Sequence, residues 1–488
     1  MILALIQPPG YDESYYLFYG RHLELSYFDH PLAVGLWAAA GQAIAPLFHA
    51  DPVLALRLPC LLSYTAAQWL LCEATRIWYG RRAALFACAI TGLSPLLFAC
   101  GGLLLLPDSP LVLAISLLLW WLAHHPLHDR RTPLQSLQFG AILGLLTLCK
   151  YQSLLLLLTL VVLRLVDSLR QRRWAWQDTV LVMAGWLAIS WPLWLWNHQQ
   201  GWLSFRFHTG RTATSAPYHW DGPLMFLLSQ LALLWPVLGL LLLTALWPRK
   251  NPSLQPSTLL RTLALPQLVV FLLLAGRMQV LASWLVPAWW LLVPVASAWI
   301  AQPGPWKRPW LRALGWLTLI AVPLLSLTAA AHVRWGIAKG LIPPPGDTSG
   351  QLLPPRRLRQ ALQEHPAVWQ ALTKAQVIGS NRYELPGFLA LALEGRSQAS
   401  YSCYSDDCRG FEVWRNSAEA RATRGVLFAV IGDYQPIADL AREGATRSWR
   451  VPGLKPLGRV PVQRAGVPVV TLEFYSFDPS RVVHTPAR

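Results

Sequence analysis

Long apolar stretches separated by short polar breaks fill the first two-thirds of the chain. They run over 59–78, 83–105, 108–123, 134–149, 150–166, 179–196, 223–246, 258–275, 279–300 and 310–331. A bilayer core needs roughly 20 apolar residues for a helix to cross it, so the pattern predicts about ten membrane-spanning helices. The unbroken stretch 134–166 would be about 50 Å long as one helix, too long for a single crossing. It predicts two short helices meeting near Lys150. After Ala331 the pattern changes. Apolar β-branched runs at 426–431 and 467–474 predict strands, and 355–363 and 418–424 predict helices. Pro343-Pro344-Pro345-Gly346 and Pro354-Pro355 mark the linker region. The expected organisation is a membrane domain over 1–331 and a small soluble α/β domain over 332–488.

Composition supports this division. Only 13% of the 488 residues are charged and 54% are hydrophobic, against about 25% charged in average soluble proteins. A single soluble globule and a disordered chain are both excluded. The net charge of +17 would suggest nucleic acid in a soluble protein, but membrane proteins collect Lys and Arg in their cytoplasmic loops. Here Arg76/Arg81/Arg82, Arg130/Arg131, Arg164–Arg173, Arg249/Lys250/Arg261 and Lys307/Arg308/Arg312 occupy every second loop. Asp108, Lys150, the segment 197–221, Arg277 and the soluble domain then share the opposite side. The apolar stretch 32–50 fits this alternation if it lies along the interface, which keeps Tyr11–Asp29 on the side of Asp108. Residues 1–7 are too short to span, and a first span is expected to be missing from this start.

Ionisable groups at a membrane edge are costly and mark candidate sites. The first group is Asp12-Glu13-Ser14-Tyr15-Tyr16, followed by Tyr27-Phe28-Asp29-His30-Pro31. Paired carboxylates among aromatics could supply a general base or a metal ligand; the plainer reading makes Asp12 a helix N-cap. Asp108, in Pro107-Asp108-Ser109-Pro110, is open to the same two readings. Lys150, beside Tyr151, could snorkel to the interface or hold a phosphate as a point charge. Asn197, Trp202, His208 and Arg211 form a polar and aromatic segment suited to a sugar or a phosphate, or to an ordinary wet loop.

These motifs, in this order, resemble the polyprenyl-phosphate-dependent glycosyltransferases of the GT-C fold. The resemblance is to the bacterial branch related to aminoarabinose transferase and the protein O-mannosyltransferases. It runs through Asp12-Glu13…Asp29-His30-Pro31, Arg57-Leu58-Pro59, Pro107-Asp108-Ser109-Pro110, Lys150-Tyr151, Asn197…Gly201-Trp202-Leu203-Ser204-Phe205 and Phe207-His208…Arg211. It covers most of residues 11–211, and the first-loop motif is its most specific part. The resemblance implies a polytopic α-helical membrane protein of about ten spans, with a first loop and juxtamembrane helices over 8–58. Asp12 is implied as catalytic base, with Glu13 and Asp108 completing the acidic site. Lys150, Tyr151 and Arg211 would hold the donor phosphate. Tyr15, Tyr16, Asp29, His30, Asn197, Trp202 and His208 would line the substrates.

The implied reaction moves a sugar from a polyprenyl-phosphate donor to lipid A, another glycan or a protein. It takes place on the periplasmic face of a bacterial inner membrane, with inversion at the anomeric carbon. No metal ligand set is assigned. A divalent cation has room at Asp12/Glu13/Asp108, but a lipid-phosphate donor does not require one. Relatives often carry His where this chain has Ser283 before Trp284, and the usual Asp-Glu-Ala is Asp-Glu-Ser here. The alternative is a multi-pass transporter or flippase of lipid-linked sugars, which would place ionisable groups at mid-membrane and show paired broken helices. A non-catalytic scaffold would tolerate loss of Asp12. Cys60, Cys72, Cys88, Cys100 and Cys149 fall in apolar stretches, while Cys403 and Cys408 are placed for a short-loop disulfide if their domain is periplasmic.

Overall fold

The computed structural model describes residues 1–47, 51–127, 129–171, 176–212, 217–248, 255–342, 347–415, 417–432, 437, 440 and 449–484. Arg172, Arg173, Arg249, Lys250 and the linker residues 343–346 lie outside the described residues. The helices are α1 (Ile2–Ile6), α2 (Tyr11–Arg21), α3 (Ala33–Leu47), α4 (Pro52–Tyr79), α5 (Arg81–Leu93) and α6 (Pro95–Phe98), which leads into a π-helical turn, Ala99–Leu103. They continue with α7 (Asp108–His124), α8 (Pro133–Cys149), α9 (Ser153–Gln171), α10 (Trp176–Gln199), α11 (Leu203–Thr212), α12 (Gly222–Leu233), α13 (Pro236–Thr244), α14 (Gln255–Leu274), α15 (Val286–Ile300), α16 (Pro303–Trp306) and α17 (Pro309–Trp335). The remainder holds α18 (Pro355–Gln363), α19 (Pro366–Lys374), β1 (Val377–Ser380), α20 (Leu385–Ala392), β2 (Ser400–Cys403), α21 (Gly410–Trp414) and α22 (Ser417–Arg421). It ends with β3 (Gly425–Val430), β4 (Trp449–Arg450), β5 (Lys455–Arg464), β6 (Val467–Phe477) and β7 (Val483–His484).

All ten apolar stretches are helical, but their lengths differ from ten simple crossings. Among the described residues five helices are long and apolar enough to span: Pro52–Tyr79, Trp176–Gln199, Pro256–Leu274, Ala282–Ile300 and Pro309–Trp335. Two more candidates are pairs bent by 76° (Arg81–Leu93 with Pro95–Leu103) and by 116° (Gly222–Leu233 with Pro236–Thr244). Proline opens the second half of each pair, where its missing N–H costs no helical bond. At 17 residues, α7 and α8 are about 25 Å long. The break at Lys150 falls where the sequence pattern placed it: α8 ends at Cys149, Lys150 is extended, and α9 begins at Ser153.

The described residues form two compact units, and the cut differs from a single boundary at Ala331. One unit is Leu23–Gly41 with Arg57–Ser326; the other is Met1–His22, Gln42–Leu56 and Leu327–Arg488. In the first, α8 and α10 run side by side and parallel. Gly140 faces Val182 and Gly185 faces Leu137 so closely that a Cβ would fall 2.1 and 2.3 Å from the carbonyl oxygens. Small residues of this kind let membrane helices touch backbone to backbone. Trp186 Nε1 donates to Thr147 Oγ1 at 3.0 Å, one turn before Lys150. At the other end of these helices Asp178 collects Arg131 at 3.3 Å, Arg164 at 2.5 Å and Ser136 at 2.6 Å. Two of the basic clusters therefore meet on one carboxylate. At the centre, Trp289 and Trp290 of α15 are fully buried, and their N–H groups reach Gln230 Oε1 and Ser116 Oγ at 3.0 and 2.9 Å.

In the second unit a five-stranded mixed sheet, ordered β2-β1-β3-β6-β5, carries an apolar core on each face. Side chains alternate across a strand. Leu472 and Phe474 of β6 accordingly join α18–α20, while Phe477 joins Trp449 and Val451. Helix α18 and strands β3 and β6 match the sequence expectation closely, and Cys403 and Cys408 are disulfide-bonded. At the exit of α17, Asp347 accepts from His332 Nε2 and Ser349 Oγ and is also paired with Arg464. Burial opposes the Asp347 charge, but these partners outweigh it and hold its carboxyl below the ordinary value.

Candidate active site

Asp108 is the first residue of α7, not its N-cap, which is Pro107. The carboxylate therefore has a different partner. Lys150 Nζ donates to both of its oxygens at 2.9 Å, with the two side chains 1% and 6% exposed. The extended backbone at Lys150 turns its side chain off the end of α8 towards the start of α7. This buried pair joins two of the candidates directly.

The next residue extends the cluster. Tyr151 Oη accepts from Asn197 Nδ2 at 3.2 Å and lies 3.4 Å from Ser26 Oγ. Its ring packs on His208 and Phe205, with centroids 5.0 and 5.4 Å away. His208 Nε2 donates to the Asp29 carbonyl at 3.0 Å, and Ser204 Oγ to the Tyr27 carbonyl at 2.8 Å. His30 closes its own loop, its carbonyl accepting from Tyr27 N at 3.0 Å. Gly201 and Trp202 both adopt positive φ, 59° and 62°, a conformation that glycine takes freely and tryptophan rarely. The turn brings Trp202 N onto the Asn197 carbonyl at 2.6 Å and starts α11 on a new course. Asn197 is fully buried, and its Oδ1 has no hydrogen-bond partner among the described residues.

Sequence reasoning passed over two residues here. Gln152 Nε2 donates to the Trp284 carbonyl at 3.1 Å, and the Arg211 guanidinium lies over the Trp284 indole, 5.2 Å from its centroid. Trp284 thus connects the segment after Lys150 with Arg211. The signal was the Ser283-Trp284 position itself, where this chain departs from the expected His.

Asp12, Glu13, Tyr15 and Tyr16 belong to the other unit. Asp12 is the second residue of α2 and partly exposed; Gly10, not Asp12, is the N-cap. Glu13 Oε2 accepts the Gly10 N–H at 2.9 Å, the reciprocal arm of a capping box, so the second carboxylate closes its own helix. Tyr15 is fully buried and Tyr16 nearly so. Tyr15 is packed among C-terminal aromatics, and its hydroxyl accepts Gly410 N–H at 2.9 Å. Among the described residues no group of three or more His, Cys, Asp or Glu side chains is placed to hold a metal ion.

Residues 29–196 match the sequence model of the family described as dolichyl-phosphate-mannose-protein mannosyltransferase. That segment holds Asp29, His30, Asp108, Lys150 and Tyr151. The fold is similar to the crystal structure of ArnT from Cupriavidus metallidurans bound to undecaprenyl phosphate, with a TM-score of 0.59 and 17% identity, covering 97% of this chain and 95% of that one. The apo structure of the same protein gives a TM-score of 0.57 and 16% identity over the same shares. None of the curated proteins compared matches the chain. The chain thus has the multi-pass fold of ArnT, and over residues 29–196 it is similar to a family of glycosyltransferases that use a lipid-phosphate sugar donor.

Proposed function

We propose that the chain transfers a sugar from a polyprenyl-phosphate donor, of the undecaprenyl type, to an acceptor oxygen on lipid A, a glycan or a protein. The reaction is placed on the periplasmic face of a bacterial inner membrane. The observation that carries this reading is the buried Asp108–Lys150 pair at the ends of two apolar helices, inside the segment that matches the family model. Asp12 acts as base, accepting the acceptor's proton as its oxygen attacks the anomeric carbon. The bond from that carbon to the donor phosphate breaks, the configuration inverts, and polyprenyl phosphate leaves. Lys150, oriented by Asp108, and Arg211, backed by Trp284, meet the charge that grows on the leaving phosphate. The unfilled Asn197 Oδ1 is suited to a sugar hydroxyl.

A transporter fits less well. The two bent helix pairs break at Ser94 and at Leu234–Trp235, which are not ionisable. The ionisable candidates stand at helix ends instead. The test is sugar transfer by the purified full chain in lipid nanodiscs, from an undecaprenyl-phosphate-linked sugar. Replacing a general base typically costs about 10²–10⁴-fold, so Asp12→Asn should lower kcat by at least about a hundredfold. Transfer at the wild-type rate by that variant removes Asp12 as base.

A further inference from the structure

Helix α2, which carries Asp12, is held by the far end of the chain. Ser14 Oγ is hydrogen-bonded to the Glu384 carbonyl, and Gly387 of α20 lies so close that a Cβ there would be 2.0 Å from Ser14 O. Tyr11 packs edge-on against Phe388, centroids 5.5 Å apart, and its hydroxyl donates to Gln351 Oε1 at 3.1 Å. On the next turn Tyr15 is enclosed by Tyr383, Phe411 and Trp414, and Trp414 also stacks flat on His22 at the helix end, 5.0 Å away.

Besides Tyr19 Oη, 3.4 Å from the Tyr15 hydroxyl, a polar contact inside this aromatic cage comes from a built turn. Cys403 and Cys408, both fully buried, close a short loop. Phe411 N donates back to the Cys408 carbonyl at 3.1 Å. Between them Arg409 is held at φ 46°, a region that residues with a side chain rarely enter. Its guanidinium rests on the Tyr383 ring, 3.8 Å from the centroid. The product of this turn is the Gly410 N–H, delivered to the Tyr15 hydroxyl at 2.9 Å. A turn with Arg409 at positive φ, closed by a disulfide, thus ends on the buried Tyr15 hydroxyl of α2.

We propose that Tyr15 is a positioning residue for Asp12, three residues before it on the same helix, and that the Cys403–Cys408 loop is its anchor. The C-terminal domain thereby sets the aim of the base. This rests on the reading of Asp12 as base and replaces the expected substrate contact of Tyr15 with an indirect role. Loss of the anchor lets α2 rotate or slide while the donor site, built by the other unit, stays intact. A misplacement near 1 Å costs up to about a hundredfold in rate, so a partial release is expected to cost roughly tenfold.

The experiment is a cycle on the full chain in nanodiscs: Tyr15→Phe, Cys403→Ala/Cys408→Ala and all three together. Each is read as kcat, donor KM and binding of undecaprenyl phosphate by native mass spectrometry. The proposal expects each arm to lower kcat roughly tenfold, donor KM and lipid binding to stay within about twofold, and the combination to lose no more than either arm, because both act through one contact. Wild-type kcat in Tyr15→Phe overturns it, as does a combined loss equal to the product of the two. A matching fall in lipid binding also overturns it, since that marks general loosening. If the cysteine variant fails to fold, Tyr15→Phe, which removes one oxygen, decides alone. The same change in an Asp12→Asn background separates the two readings. Normal transfer by Asp12→Asn sinks the base, whereas a further tenfold loss on adding Tyr15→Phe sinks only the positioning role.

Discussion

Removing Lys150 tests the site and its stability together. Its ammonium sits 2.9 Å from each Asp108 oxygen, with 6% and 1% of the two side chains exposed. At that distance and an effective dielectric near 20 the attraction is about 6 kcal/mol, most of it offset by the cost of drying both groups. The offset remains when one partner goes. Lys150→Met leaves a buried carboxylate without its cation and should destabilise the protein by about 3–5 kcal/mol. Asp108→Leu should do the same from the other side. Asp108→Leu with Lys150→Met removes both charges and should recover most of the loss, giving a coupling energy above about 2 kcal/mol. Unfolding in mixed detergent and dodecyl sulfate micelles, followed by tryptophan fluorescence, measures all four corners. The double variant is the informative one, because it should be stable yet fail to transfer sugar. Single and double variants of equal stability would refute the buried pair as described. A double variant that transfers sugar at the wild-type rate would remove Lys150 from the donor site.

Two further outcomes follow from other polar clusters. Asp347 has a folded-state carboxyl below its ordinary value: burial works against the charge, but Ser349, Arg464 and His332 outweigh it. Its stabilising contribution is therefore complete above the unfolded-state pKa near 3.9 and is lost as the pH falls through the folded-state value. Thermal melting of the full chain between about pH 5 and 2 should flatten in Asp347→Asn, and an unchanged acid limb would contradict the assignment. Asp178 gathers Arg131, Arg164 and Ser136 far from the donor site. Asp178→Asn should cost about 3 kcal/mol in the same micelle titration while transfer per folded molecule stays at the wild-type level; a stability equal to wild type would mean the cluster contributes nothing.

The positions of the helices were legible because crossing a bilayer demands long apolar runs, and the break at Lys150 because a charge and a polar pair interrupt one. Helix Pro355–Gln363 and the strands ending in Val430 and Phe477 carry local patterns that survive folding. What could not be seen was partnership across the chain. Asp108 and Lys150 are 42 residues apart, and nothing local tells a phosphate-binding lysine from one already paired. Asp12 and Asp108 look like N-caps, but Gly10 and Pro107 take those places. Tyr15 sits in a motif rich in sugar-binding residue types, yet its surroundings come from residues 383–414. The composition break at Ala331 marked where charged residues become frequent. It could not reveal that residues 1–22 pack with the C-terminal domain, because contacts to α20 and α21 span 370 and 395 residues.

Those separations have a consequence for how the protein is made. Synthesis delivers α20 and α21 more than 350 residues after α2. Until the C-terminal domain has folded, Tyr15, Phe18 and Tyr19 lack the aromatic partners that later enclose them. Helix α2 is then among the last segments to settle, a closure of very high contact order. A ribosome that stalls before Gly410 leaves a chain whose apolar helices are made but whose helix α2 is unseated. The packing of α2 is thus completed only after translation has passed Trp414.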